Sequence, residues 1–242
     1  MILNNIFEIF SGNFEKSELI FWILIQFFWT IIFMIIAYLF FRKKNKYSIM
    51  THSISFLGSW IPERNPNGWW NLSIALIGQS IMFIPLNLYY YKNMARISEL
   101  GSLIGVILLF IGTIGVFLVG LIPDNEGYNF FKDLKYGQVH NVVAALGFGG
   151  YIFGNLWYGF IFLYDYFFGA KIYTINRFGW PFIILLSLIF IIFYTQLKWS
   201  KICKKDKNKE PFPGEGIYSF PLWEWIITFY LFFHMYYILL SF

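Results

Sequence analysis

Asp124, His140 and Glu224 have more capacity for chemistry than their surroundings would lead one to expect. Asp124 lies in "GLIPDN" (residues 120–125) and His140 in "GQVHN" (residues 137–141), each bordering an almost wholly apolar segment. Glu224 lies inside "PLWEWIITF". A histidine beside a carboxylate can serve as a general base toward water or an ester. The same three residue types also ligate zinc-type ions. Their spacing, however, matches no compact motif: HExxH, GxSxG and HxxxH are all absent from the sequence. The expectation is therefore no metal and no cofactor, with His140, Asp124 and Glu224 as candidate catalytic residues only if the chain is an enzyme.

The elements that must position these residues are set by composition. The 242 residues are 58% hydrophobic, 24% aromatic and only 13% charged, about half the charge of a soluble domain. Such a chain cannot coat a globule with polar groups, so lipid must be its solvent. A helix crosses the hydrocarbon core with about 20 apolar residues. Six windows meet that length, at about 19–41, 69–91, 101–122, 139–164, 179–197 and 219–241. Five of them lack Lys, Arg, Asp and Glu, and the sixth holds Glu224 alone. The runs are too long for barrel strands. The fold class read from this is all-α, a polytopic transmembrane bundle of six helices forming a single domain over residues 1–242.

The first apolar run is followed by "RKKNK" and reads as a membrane span rather than a cleaved leader. Residues 1–18 read as a short amphipathic segment on the membrane surface. Loops 42–68, 123–138 and the Lys-rich loop 198–210 carry thirteen of the 18 basic residues, against five on the other side. The positive-inside rule then places those loops in the cytoplasm and both termini outside. The lone Cys203 falls in the basic loop, excludes an internal disulfide and suits a reducing side.

Polar side chains at bilayer depth face the bundle or a water-filled cavity. The second window carries Ser73, Ser80 and Asn87 at sevenfold spacing, with Pro85 bending the helix beside them. In the third, Gly101, Gly105, Gly112 and Gly115 share a face and predict close helix packing. In the fourth, His140, Gly147, Tyr151 and Gly154 share one face, which mixes small residues with polar tips. Parity places the end of helix three and the starts of helices four and six at one interface. Asp124, His140 and Glu224 therefore share a depth with loop 42–68, which adds His52, Ser53, Ser55, Glu63, Asn65 and Asn71 to a polar vestibule. The candidate lipid- or ligand-binding residues are Ser55, Glu63, Asn71, Ser80, Asn87 and Tyr151.

"SISFLGSWIPERNPNGWWN", "GTIGVFLVGLIPDN" followed by "VHNVVAALGFGGYIFGNLWYG", and "PLWEWIITFYLFF" stand in an order that resembles the FRAG/DRAM/Sfk-type membrane family. The chain is also similar to the six-helix family called domain of unknown function 998. The likeness covers helices two to four and six. It implies a six-helix bundle working with lipids, in GPI-anchor remodelling, autophagy-linked membranes, or phosphoinositide and lipid-asymmetry regulation. By that likeness Ser55, Gly58, Pro62, Asp124, His140 and Glu224 are the marked positions.

The leading sequence reading is a non-enzymatic integral membrane protein that binds or organises membrane lipids, with no nucleic-acid partner. The alternatives are a lipid hydrolase or transferase using His140 with Asp124 or Glu224, and a small-molecule or ion transporter with a polar path along helix two.

Overall fold

A computed structural model describes residues 7–42, 47–50, 52–125, 127–173, 175–205 and 219–242. Six long helices follow one another: α1 (Lys16–Arg42), α2 (Trp69–Met94), α3 (Glu99–Leu121), α4 (Tyr136–Phe168), α5 (Ile175–Lys205) and α6 (Phe220–Leu240). Each contains a stretch long and apolar enough to cross a membrane. The all-α bundle expected from the sequence is the fold observed.

The helices begin where their sequences supply caps. Ser98 Oγ accepts from Gly101 N at the start of α3, and Ser219 Oγ accepts from Leu222 N at the start of α6. The α4 start is closed by Gln138, whose side chain accepts from the Lys135 backbone N–H (3.1 Å). Helix α4 spans 33 residues, about 50 Å at 1.5 Å per residue, and so extends beyond a core of about 30 Å. It continues past the expected end at 164 because Asp165, polar in sequence, is buried and accepts from Tyr173 N (3.4 Å). Helix α5 similarly runs on into the basic segment that the sequence reading assigned to a loop. Residues 206–210 of that loop, Lys43, Lys44 and Lys46, and residues 1–6 lie outside the described residues, as does the side chain of Cys203.

Helix α1 shows how the bundle divides lipid from core. Leu19, Ile23, Gln26, Thr30, Met34, Ala37 and Phe41 recur every three or four residues and are buried. Phe21, Phe28, Ile32 and Ile35, between them, are more than half exposed, which suits a face turned to acyl chains.

Helices α1 to α4 pack in sequence, each against the next, and the α3–α4 contact is the most extensive. Its cause is a double row of glycines. A Cβ on Gly115 would lie 2.2 Å from Gly147 N, and one on Gly150 would lie 2.1 Å from Gly112 N. Backbone therefore meets backbone, as the glycine face of helix three predicted. Tyr158 packs on Gly105, and Leu109 on Gly154, extending the seam. Helix α6 is held differently. It pairs with α5 and touches α1, α2 and α4 only sparsely through large side chains.

Between α3 and α4 the charged loop contains a small antiparallel hairpin, β1 (Asn129–Phe131) and β2 (Leu134–Lys135), turned at Lys132 with φ 49°. Two- and three-residue strands leave too short an alternation to be read from sequence.

Gly115→Leu should cost at least about 1–3 kcal/mol, the range for overpacking a tight contact, seen as lower thermal stability and loss of monodispersity in detergent. Gly149→Leu, where a Cβ meets nothing closer than 3.9 Å, should leave both unchanged. Equal behaviour of the two variants would count against the seam.

Candidate functional site

At the interface shared by the ends of α3 and the starts of α4 and α6, two loops are clasped together. Arg64 Nη1 donates to Asp124 Oδ2 (2.8 Å) and to the Asp124 carbonyl (3.1 Å). Both side chains are largely withdrawn from solvent, at 12% and 9% exposure. The guanidinium also lies 3.9 Å from the Phe56 ring centroid. Next to it, Asn125 Oδ1 accepts from Trp60 N (3.0 Å) and Ser59 Oγ (3.2 Å). Asn65 ties the same loop to α1, its Nδ2 donating to the carbonyls of Ala37 (3.0 Å) and Leu57 (2.7 Å). Trp60 packs edge-on against Trp69, Tyr128 and Tyr136, seating the hairpin on the first loop.

The clasp holds a short 3₁₀ helix, Ile54–Gly58, over the start of α6. Around it Ser219 Oγ donates to the Met50 carbonyl, and Trp225 Nε1 donates to Tyr47 Oη (3.1 Å). His52 stacks on Tyr47 with ring centroids 5.2 Å apart, and its Nδ1 lies 3.2 Å from Ser48 N and 3.3 Å from the Ser48 carbonyl. Burial, with a smaller contribution from the Arg64 charge, holds the His52 pKa below its ordinary value, against the opposing pull of the Ser48 backbone. Burial raises that of Tyr47. His52 is therefore part of the loop's packing.

Beneath the 3₁₀ helix lies a cavity of about 100 Å³, in the seam where α6 faces α2, α3 and α4. Ser55, His140 and Glu224 stand at its interfacial end, and Leu76, Val116, Phe148 and Leu231 are among its apolar walls. The deep end is closed by aromatic rings. Phe83 packs against Tyr151 (5.2 Å between centroids), Phe232 (5.9 Å) and Tyr236 (6.5 Å). Glu224 Oε2 is sealed from solvent and has no hydrogen-bond partner, while the Ile54 backbone reaches the carboxyl group and Asp124 lies within electrostatic range. His140 Nδ1 is 2.7 Å from the Ile122 carbonyl. A carbonyl only accepts, so Nδ1 carries the hydrogen and Nε2 of the neutral ring is an acceptor.

Of the three residues proposed for chemistry, His140 and Glu224 line one cavity, whereas Asp124 is committed to Arg64. Of the proposed ligand-binding set, Ser55 and Tyr151 line it. Glu63 is exposed on the first loop. Asn71 is buried, with Nδ2 donating to the Gly68 carbonyl (3.2 Å), and Ser80 donates back to Leu76 of its own helix (2.7 Å). Asn87 Nδ2 donates to Thr113 Oγ1 (2.8 Å), which lies 2.8 Å from Tyr151 Oη and itself donates to the Leu109 carbonyl (2.9 Å). Thr113 has one hydrogen, so Tyr151 is the donor of that pair. Of the polar stripe of helix two, Asn87 is thus tied into interhelical bonding, while Ser80 bonds within its own helix. Among the described residues, no three His, Cys, Asp or Glu side chains gather as a metal site.

Sequence reasoning placed Asn65 in the vestibule but missed Arg64, Asn125 and Thr113. Arg64 was counted only as a topological charge, although its loop and that of Asp124 were both placed at one interface. Thr113 was overlooked among glycines. At the opposite end of the bundle a larger polar cleft of about 610 Å³ is lined by Glu8, Glu15 and Glu18 together with Lys92 and Arg96.

The six apolar spans and this cavity define an integral, multi-pass α-helical membrane protein. No protein-family model, curated protein or solved structure matches the chain.

Removing one partner of a buried ion pair costs about 3–5 kcal/mol, so Arg64→Ala and Asp124→Ala should each lower the thermal stability strongly. The double variant Arg64→Met/Asp124→Leu should be more stable than either single one. Single variants as stable as the parent protein in the same detergent would show the clasp to be unimportant.

Proposed function

We propose that this membrane protein binds a lipid in the cavity between α6 and helices α2, α3 and α4. One observation carries the reading: a narrow apolar shaft that ends at the interface in His140, Glu224 and Ser55. Those ends match the two ends of an amphiphile. Glu224 and Met235, eleven residues apart on α6, both line the shaft, which corresponds to about 16 Å of helix, or about half of the hydrocarbon core. Ser55, His140 and Glu224 are also three of the positions marked by the family likeness described above.

The other readings find less support. Catalysis by His140 with Asp124 or Glu224 finds Asp124 committed to Arg64 (2.8 Å), and Ser55 Oγ shares a hydrogen bond with Ser53 Oγ (2.8 Å). Transport would require a polar route past Phe83, Phe232 and Tyr236, which stack across the deep end. The thirteen-to-five distribution of basic residues supports a cytoplasmic position for the polar end of the cavity and an outside position for both termini.

Protein purified in mild detergent should retain about one lipid chain per molecule, identified by native mass spectrometry. Leu231→Trp, which fills the shaft, should lose it while keeping its elution profile; equal retention by both proteins would defeat the reading. For orientation, a cysteine at exposed Tyr128, placed in a Cys203→Ser background, should react with an impermeant maleimide in inside-out vesicles and not in intact cells. The reverse pattern would invert the topology.

A further inference from the structure

Resting on that reading, we infer that the cavity selects a single hydrocarbon chain whose head group donates hydrogen bonds, a hydroxyl or an amine, and rejects carboxylate- and phosphate-headed chains. The inference follows from which hydrogen-bonding capacity at the polar end is already used. The hydrogen on His140 Nδ1 is taken by the Ile122 carbonyl (2.7 Å), which leaves Nε2 as the free ring nitrogen, a lone-pair acceptor in the neutral imidazole. Glu224 presents a carboxyl oxygen that is sealed from solvent and has no partner. Ser55 Oγ is engaged with Ser53 (2.8 Å), and Thr228 Oγ1 with the carbonyl of Glu224 (2.7 Å). At the deep end Tyr151 gives its hydrogen to Thr113.

The unengaged polar atoms at the mouth are therefore His140 Nε2 and a carboxyl oxygen of Glu224. No lysine or arginine lines the cavity. The nearby Arg64 is drawn to Asp124 and Phe56. An anionic head would face Glu224 with no cation to compensate, and burying an unpaired charge is costly. An ammonium head would instead give hydrogens to both Glu224 and His140, and a hydroxyl, with its single hydrogen, to one of them. The size excludes a bulky ligand: about 100 Å³ is below the usual range of about 300–1,000 Å³ for drug-sized ligands.

The test is equilibrium binding of radiolabelled 1-hexadecanol, hexadecylamine and palmitate to the full chain in nanodiscs at pH 8, with empty nanodiscs subtracted. Both donor-headed chains should bind at least about tenfold more tightly than palmitate, the scale of discrimination that one unpaired buried group produces. Parity with palmitate, or a preference for it, would overturn the head-group inference while leaving the chain-binding reading standing. Failure of all three to bind would overturn both. Glu224→Gln, which replaces one acceptor oxygen by an amide donor, should bring palmitate to within about threefold of hexadecanol. An unchanged ratio in that variant would remove Glu224 as the selecting group. Leu231→Trp should lose all three chains alike, which separates occupancy of the shaft from recognition of the head.

Discussion

In a bilayer, apolar side chains gain nothing by leaving lipid for the protein interior, so helices must be held by close contact and by hydrogen bonds. The α3–α4 seam meets that requirement with glycine against glycine, Gly112 on Gly150 and Gly115 on Gly147. Beside it Thr113 joins Asn87 of α2 to Tyr151 of α4 through α3. Three helices are thereby locked at one depth. Everything at the interfacial end, including the Ile122 carbonyl that orients His140, takes its position from this unit.

Helix α6 cannot join that unit on the same terms. Its inward face carries Leu231, Phe232, Met235 and Tyr236 where α4 carries glycines. Large side chains hold the backbones apart and fill the gap unevenly, leaving the shaft. The Arg64–Asp124 clasp then draws the first loop across the top and brings Ile54 and Ser55 to the mouth. The cavity is thus the geometric remainder of one tight contact and one loose one.

Much of this was legible in the sequence because lipid imposes simple rules. Span number and position followed from apolar run length, and the α3 packing face from the recurrence of Gly105, Gly112 and Gly115. Parity brought His140 and Glu224 to one interface, where the structure lines one cavity with both. Pairing was not legible. Asp124 and His140, which bracket a single loop, have separate partners, and Arg64 lies 60 residues from the carboxylate it contacts. The stripe of Ser80 and Asn87 was visible as a period, but the period does not reveal that Ser80 bonds within its own helix while Asn87 reaches Thr113. Helix ends moved where a polar residue such as Asp165 found a local partner.

The clasp also imposes an order on biosynthesis. Arg64 leaves the ribosome sixty residues before Asp124, and helices α2 and α3 must both cross the bilayer before the two meet. Glu224 arrives a further hundred residues later, on the last helix. The first loop is thus closed over an unfinished chamber, whose fourth wall is supplied only when α6 inserts. Until then the face of α2, α3 and α4 that will line the cavity is open to the bilayer, so the space between the helices takes shape in contact with lipid.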